Sequence, residues 1–258
     1  MFDTLVNAVP ALRLAGSASG GSKIGGRPHL SGEVEWPVWK GRLQSFLAQI
    51  NLEEVRLAGG PEWLPRDGTL FFFYDSEQET WGFSPEDRGS WAVIYDPLPP
   101  PTQRREREPA PAPVEFVEQI VGMSIQTSLP SPERLGIDTS ALADEEWCHF
   151  DEAMEKLDCD HPCHQIGGWP RPVQNDDMEL ECQLASNGVY CGDASGYGSD
   201  AARELAPGAS EWRLLLQLDS DDDSGMMWGD LGTLYFWVRQ QDARSGDFSN
   251  VWMVLQCS

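Results

Sequence analysis

Four short blocks occur in the same order in both halves of the chain. IGGRP (24–28), FLAQINL (46–52), GTLFFFY (68–74) and GFS (82–84) are followed by IGGWP (166–170), LLLQLDS (214–220), GTLYFWV (232–238) and DFS (247–249). The last three pairs are offset by 168, 164 and 165 residues and the first by 142. The second half therefore carries about 25 extra residues between its first two blocks. Ordered self-similarity of this kind indicates a repeated unit, and we expect two copies related by a pseudo-twofold axis. Phe46–Leu52, Leu214–Leu218, Leu70–Tyr74 and Leu234–Val238 are short apolar or aromatic runs bounded by Gly, Pro and Asp, the pattern of buried strands. Gln49 and Gln217 interrupt two of these runs at matching places. A buried amide has to be hydrogen-bonded, so both are expected to satisfy backbone groups near the axis; reading a ligand is the alternative.

The remaining organisation is simple. Asp96–Pro113 contains seven prolines, which remove backbone donors and disfavour helix before them, so it reads as an extended loop. Thr139–Asp158 places Leu142, Glu146, Phe150, Met154 and Leu157 at helical spacing with a strongly acidic outer face. The expected fold class is α+β, mostly β: an internally duplicated β-sheet unit in one domain, 1–258, with a few peripheral helices. The half-repeats span about 20–95 and 160–258, joined by loop 96–113 and helix 139–158.

Charge narrows the partners. The chain has 42 Asp and Glu against 18 Lys and Arg, a net charge of −24. Residues 1–129 hold 11 basic and 17 acidic side chains (−6), and residues 130–258 hold 7 and 25 (−18). Such a surface repels phosphates, which argues against direct nucleic-acid or anionic-membrane binding, and attracts basic proteins. Eleven Trp and ten Phe supply the apolar surface that disordered acidic chains lack. The N-terminal stretch has no basic region ahead of an apolar core, and no run approaches a membrane span. A cytoplasmic location is expected. In that compartment the six cysteines (148, 159, 163, 182, 191 and 257) are expected as free thiols.

Several segments suggest chemistry without specifying it. Cys159, His161, Cys163 and His164 are zinc-type ligands, but all four would have to converge from one tight loop, and a structural turn is the expected reading. Asp219, Asp221, Asp223 and Asp230 stand at positions 1, 3, 5 and 12 of a calcium-type loop. Ser224 replaces its glycine, however, and the flanks are strands. An acidic turn, a cation site or a docking loop for a basic partner remain open there. GSASGGSK (16–23) lacks the residue order and frame of a phosphate loop. No catalytic fingerprint is present, and no cofactor is expected.

IGGxP, EWP (35–37), FLAQINLEE and GTLFFFY, followed by HQIGGWPRPVQNDDMELECQL from His164, WRLLLQLDSDD, MMWGDLGTLYFWV and DFSNVW, resemble the YwqG-like family of bacterial proteins, a domain of unknown function. The resemblance covers roughly residues 10–95 and 160–258. It implies a single cytoplasmic, mostly β domain with internal duplication and brings no catalytic mechanism. Members look like companions of secreted toxins, which implies immunity proteins among them. The sequence thus leads to a non-catalytic acidic binding protein, most concretely an immunity protein that neutralises a cognate toxin, such as a basic nuclease, by occluding its active site. The expected contact residues are Asp219, Asp221, Asp222, Asp223, Asp230, Glu145 and Glu152. The alternative is a small-ligand protein or enzyme with its site between the two repeats, lined by Trp228, Gly229, Asp230, Gln49 and Gln217.

Overall fold

The computed structural model describes residues 7–31, 34–98, 113–131, 133–135 and 161–258, together with 145, 148 and 152. Most of loop 96–113 and of helix 139–158, along with Cys159, lies outside the described residues. The fold is mostly β. One antiparallel sheet holds ten strands. At its centre β1 (Val9–Gly16) pairs with β8 (Gln119–Ser128) over eight residues, Val9↔Ser128 to Gly16↔Val121.

From that pair each side reads outward alike. On one side β2 (Lys23–Ile24) borders β8, followed by β5 (Ser45–Asn51), β6 (Thr69–Tyr74) and the edge strand β7 (Trp91–Asp96). On the other, β9 (Gln165–Ile166) borders β1, followed by β10 (Trp212–Asp219), β11 (Thr233–Arg239) and the edge strand β12 (Trp252–Gln256). The four matched sequence blocks fall on these strands and their turns. Details repeat as well: Gln49 faces Phe71 and Gln217 faces Tyr235, and β5 and β10 each shift register once, at Phe46/Ala48 and Leu214/Leu216.

β2 and β9 are two residues long because Gly25–Gly26 (φ +64°, +67°) and Gly167–Gly168 (φ +64°, +74°) turn the chain away from the sheet, a left-handed conformation that favours glycine. The buried amides hold these turns. Gln49 Nε2 donates to Gly21 O at 2.8 Å, and its Oε1 accepts from His29 N at 2.9 Å. Gln217 Nε2 donates to Cys163 O at 3.0 Å, and its Oε1 accepts from Arg171 N at 2.9 Å. Both side chains serve backbone groups, as the sequence led us to expect.

The sheet curls until its ends meet, giving a nearly closed barrel. Leu255 N donates to Trp81 O, Trp252 Nε1 to Gly82 O and Trp91 Nε1 to Val251 O, at 2.7–2.9 Å. Gly82 has φ +92°, and a Cβ there would lie 1.9 Å from Met253 O, so the seam requires glycine at that position. Inside, Phe72 meets Phe236 edge to face at 5.2 Å and Trp91 meets Trp252 at 4.9 Å. Outside β6, a second cluster of Leu30, Trp36, Phe46, Phe71 and Phe73 is covered by the segment carrying β3 (Val38–Trp39) and β4 (Arg42–Leu43). With both faces covered, β6 reads as a continuous apolar run rather than an alternating one.

The structure corrects three expectations. Strand β5 ends at Asn51 rather than Leu52, because the Asn51 side chain accepts from Glu53 N and Glu54 N and starts helix α1 (Leu52–Leu57). Trp228 lines no cleft: it is 1% exposed and packs against Tyr74 and Phe116. Finally, Cys163 is disulfide-bonded, whereas Cys148, Cys182, Cys191 and Cys257 are free.

Replacing Gln49 or Gln217 by Leu keeps the volume but strands one backbone acceptor and one donor. Each variant is expected to lose about 2–4 kcal/mol in urea unfolding. A loss below about 1 kcal/mol would show that the turns hold without the amides.

Candidate functional site

A cavity of about 1740 Å3 lies where the two halves converge. One wall is α1 with the loop 59–66 that follows it. The other comes from Gly168–Trp169, from the start of helix α2 (Met178–Ser186) and from Trp212–Leu214 at the beginning of β10. Four indoles reach the cavity: Trp63, Trp169, Trp212 and Trp237. Trp63 and Trp169 are half-buried, while Trp212 and Trp237 form a floor with 1% exposure each. Phe236 points into the barrel, so its neighbour Trp237 points outward toward the cleft, by the alternation of a strand.

An ion-pair network stiffens the second wall. Arg134 donates from Nε to Asp176 Oδ2 at 3.1 Å and from a terminal nitrogen to Glu179 Oε2 at 2.9 Å, and its guanidinium lies over the Trp169 ring at 4.9 Å. Burial opposes the Arg134 charge, but the hydrogen bonds to Asp176 and Glu179 outweigh it and raise the pKa. Trp169 Nε1 donates to Asn7 O at 2.8 Å and Trp212 Nε1 to Gln183 Oε1 at 2.9 Å. Trp237 Nε1 and Arg56 Nε, both buried atoms, find no acceptor among the described residues. Buried donors are rarely left this way.

A second cavity, about 1020 Å3, holds the acidic segment Asp219–Asp223. The expected contact residues divide here. Asp219 is 2% exposed; its carboxylate accepts from Cys163 N (2.8 Å), Ser220 N (3.0 Å) and Thr233 Oγ1 (2.8 Å), and His161 Nδ1 lies 2.7 Å away. Burial would raise its pKa, but these hydrogen bonds, led by Cys163 N, lower it. Asp221 is 5% exposed and held near a pKa of about 2 by the neighbouring His164 imidazole, 3.8 Å away, and by the Asp223 N–H. Asp219 and Asp221 are thus tied internally, Asp219 on the ladder opposite Thr233 and Asp221 at a bridge to Met226. Asp222, Asp223 and Asp230 are exposed, and Glu145 and Glu152 are helical and exposed.

His161 and His164 each face a different aspartate, and Cys163 is in a disulfide. Among the described residues no group of three His, Cys, Asp or Glu side chains converges on one point. The His161–Asp219 pair resembles half of a catalytic triad, but the hydroxyls beside it are committed. Ser220 Oγ donates to Gly232 O and accepts from Trp228 N, and Thr233 Oγ1 donates to Asp219.

The sequence reading allowed for a site between the repeats but lined it with other residues, because loop 59–66, Asn175–Leu180 and Ala209–Arg213 lie outside the repeated blocks. One signal was present: Trp169 replaces Arg27 where IGGWP matches IGGRP, placing an indole on a turn that otherwise serves only the backbone.

The chain belongs to the family defined by the domain of unknown function DUF1963, which matches residues 22–257. No curated protein matches it. Among the described residues no helix is long and apolar enough to cross a membrane.

On α2, which walls the cleft, burial first and Asp177 second push the Glu181 carboxyl up to about 7. Its folded pKa lies above its unfolded value, so its favourable contribution is complete below about pH 4.5 and is lost as pH rises through 7. Unfolding free energy is therefore expected to fall by up to about 3 kcal/mol over that interval. Glu181→Gln should flatten this component in urea titrations across the range; an unchanged slope would remove Glu181 as its source.

Proposed function

We propose that this protein is a non-catalytic binding protein whose ligand occupies the cleft between its two halves. One observation carries the reading: a cavity of about 1740 Å3 at the junction, floored by buried indoles. That volume exceeds the several hundred cubic ångströms of an ordinary small-molecule pocket. Its walls are held by the Arg134–Asp176–Glu179 network before any ligand arrives, so little ordering opposes binding.

Two finer readings accompany it. The halves are duplicated copies of one unit, a reading supported by the matched strand order, register shifts and glutamine contacts. Within the wider family the chain is YwqG-like, a reading supported by the sequence blocks themselves.

Ala209, half-buried in the lining, offers a way to block the cleft. Protein purified gently from its host is expected to retain a ligand in native mass spectrometry, and Ala209→Trp to lose it while unfolding at the same urea concentration. A ligand retained equally by the folded variant would place the binding site elsewhere.

A second reading keeps the immunity role, with a basic toxin as partner. It is favoured by the exposed carboxylates Asp222, Asp223 and Asp230, joined by Glu145 and Glu152. Acidic groups on the surface steer basic partners and compete with phosphate for a nuclease cleft. Asp219 and Asp221 would then shape the loop without touching the partner. Asp222→Lys with Asp223→Lys should slow association with a cognate toxin about tenfold or more at low salt, and less at high salt. Equal association rates for the variant and the parent would move the contact away from this loop.

A further inference from the structure

We infer that the cleft between the halves takes an uncharged oligosaccharide. This rests on the reading of the cleft as a binding site and names what binds there. Three features converge on the class. Trp63 and Trp169 line the cleft half-buried, leaving part of each indole accessible to a ligand. An indole offers a broad apolar face suited to the C–H face of a sugar ring. Trp237 Nε1 and Arg56 Nε are donors without acceptors in an otherwise satisfied wall. A ligand rich in hydroxyl oxygens supplies those acceptors, whereas a purely apolar ligand would leave them stranded.

The third feature is charge. The protein as a whole carries −24, yet the four arginines of the cleft lining are balanced by four carboxylates. Arg134 is already bound to Asp176 and Glu179, so it presents no free cation for an anionic group. A neutral ligand that both donates and accepts hydrogen bonds fits a neutral rim of mixed donors and acceptors. The size of the cavity suits several linked sugar units better than one.

The test uses the full chain and four neutral series: glucose-, N-acetylglucosamine-, mannose- and xylose-based oligosaccharides of two to six units. A galacturonic-acid hexamer and a neutral hexapeptide serve as comparators. Binding is followed by indole fluorescence and calorimetry. One neutral series is expected to bind with affinity rising with length, at least about tenfold tighter than the galacturonic-acid hexamer. Trp63→Ala should weaken it about tenfold or more, and Arg56→Lys, which keeps the charge but removes Nε–H, about threefold to tenfold. Unfolding midpoints equal to the parent's show that the variants remain folded. If all four neutral series fail while a charged sugar or the peptide binds and is blocked by Ala209→Trp, the oligosaccharide assignment falls and the binding cleft stands. If neutral sugars bind but Ala209→Trp and Trp63→Ala leave their affinity unchanged, the site is not this cleft. If nothing in the panel binds and protein from the host also carries no ligand, both readings fall.

Discussion

The antiparallel ladder between β1 and β8 joins the two halves of this protein. Its eight residue pairs set the register on both sides. β8 takes β2 on one side and β1 takes β9 on the other, so the two sides of the sheet are joined along this pair. Because antiparallel sheets twist in one sense, ten strands built outward from one central pair curl toward each other. Here the ends come close enough for the backbone and indole N–H groups of Leu255, Trp252 and Trp91 to cross the seam. The mutual approach of Phe72 and Phe236, one from each side, is a consequence of that curl.

The sheet was legible in the sequence for definite reasons. β5, β6, β10 and β11 are buried on both faces, so they appear as unbroken apolar runs, and Gly-Gly-x-Pro marks where β2 and β9 must stop. Gln49 and Gln217 were readable as structural because an amide inside such a run has only backbone groups to satisfy. The disulfide at Cys163 was not readable, since the expectation of free thiols came from compartment and chain length and not from geometry. The end of β5 was misplaced by one residue because side-chain capping by Asn51 overrides the apolar pattern that continues into Leu52.

The acidic segment illustrates a different limit. Asp219 to Asp223 reads as one charged loop, and in sequence its five residues have similar standing. The structure divides them by their place on the strand. Asp219 is still paired with Thr233 in the ladder, so its carboxylate must be satisfied internally, and it gathers two backbone N–H groups and a hydroxyl. Asp221 is tied by the isolated bridge to Met226 and turns toward His164. Only beyond these constraints does the chain release Asp222 and Asp223 to solvent. Charge composition therefore predicted the sign of the surface without telling which carboxylates compose it.

The cleft arises where the two halves depart from each other. The interval between the first two blocks is about 25 residues longer in the second half, and the two halves use it differently. In the first half, Leu30 and Trp36 pack over β6 and close its outer face with Phe71 and Phe73. In the second half the same interval contains α2, α3 (Ala194–Tyr197) and α4 (Asp200–Leu205) before β10 begins. α2 packs against β10, and Trp212 and Trp237, each 1% exposed, form the floor of the cleft. The wall opposite is α1 with loop 59–66, which follows β5 where the second half has the acidic turn after β10. Asn51 starts a helix at the position where Asp219 instead anchors that turn. The cleft thus owes most of its two walls to loop 59–66 on one side and to Asn175–Leu180 with Ala209–Arg213 on the other, segments that the matched blocks do not include.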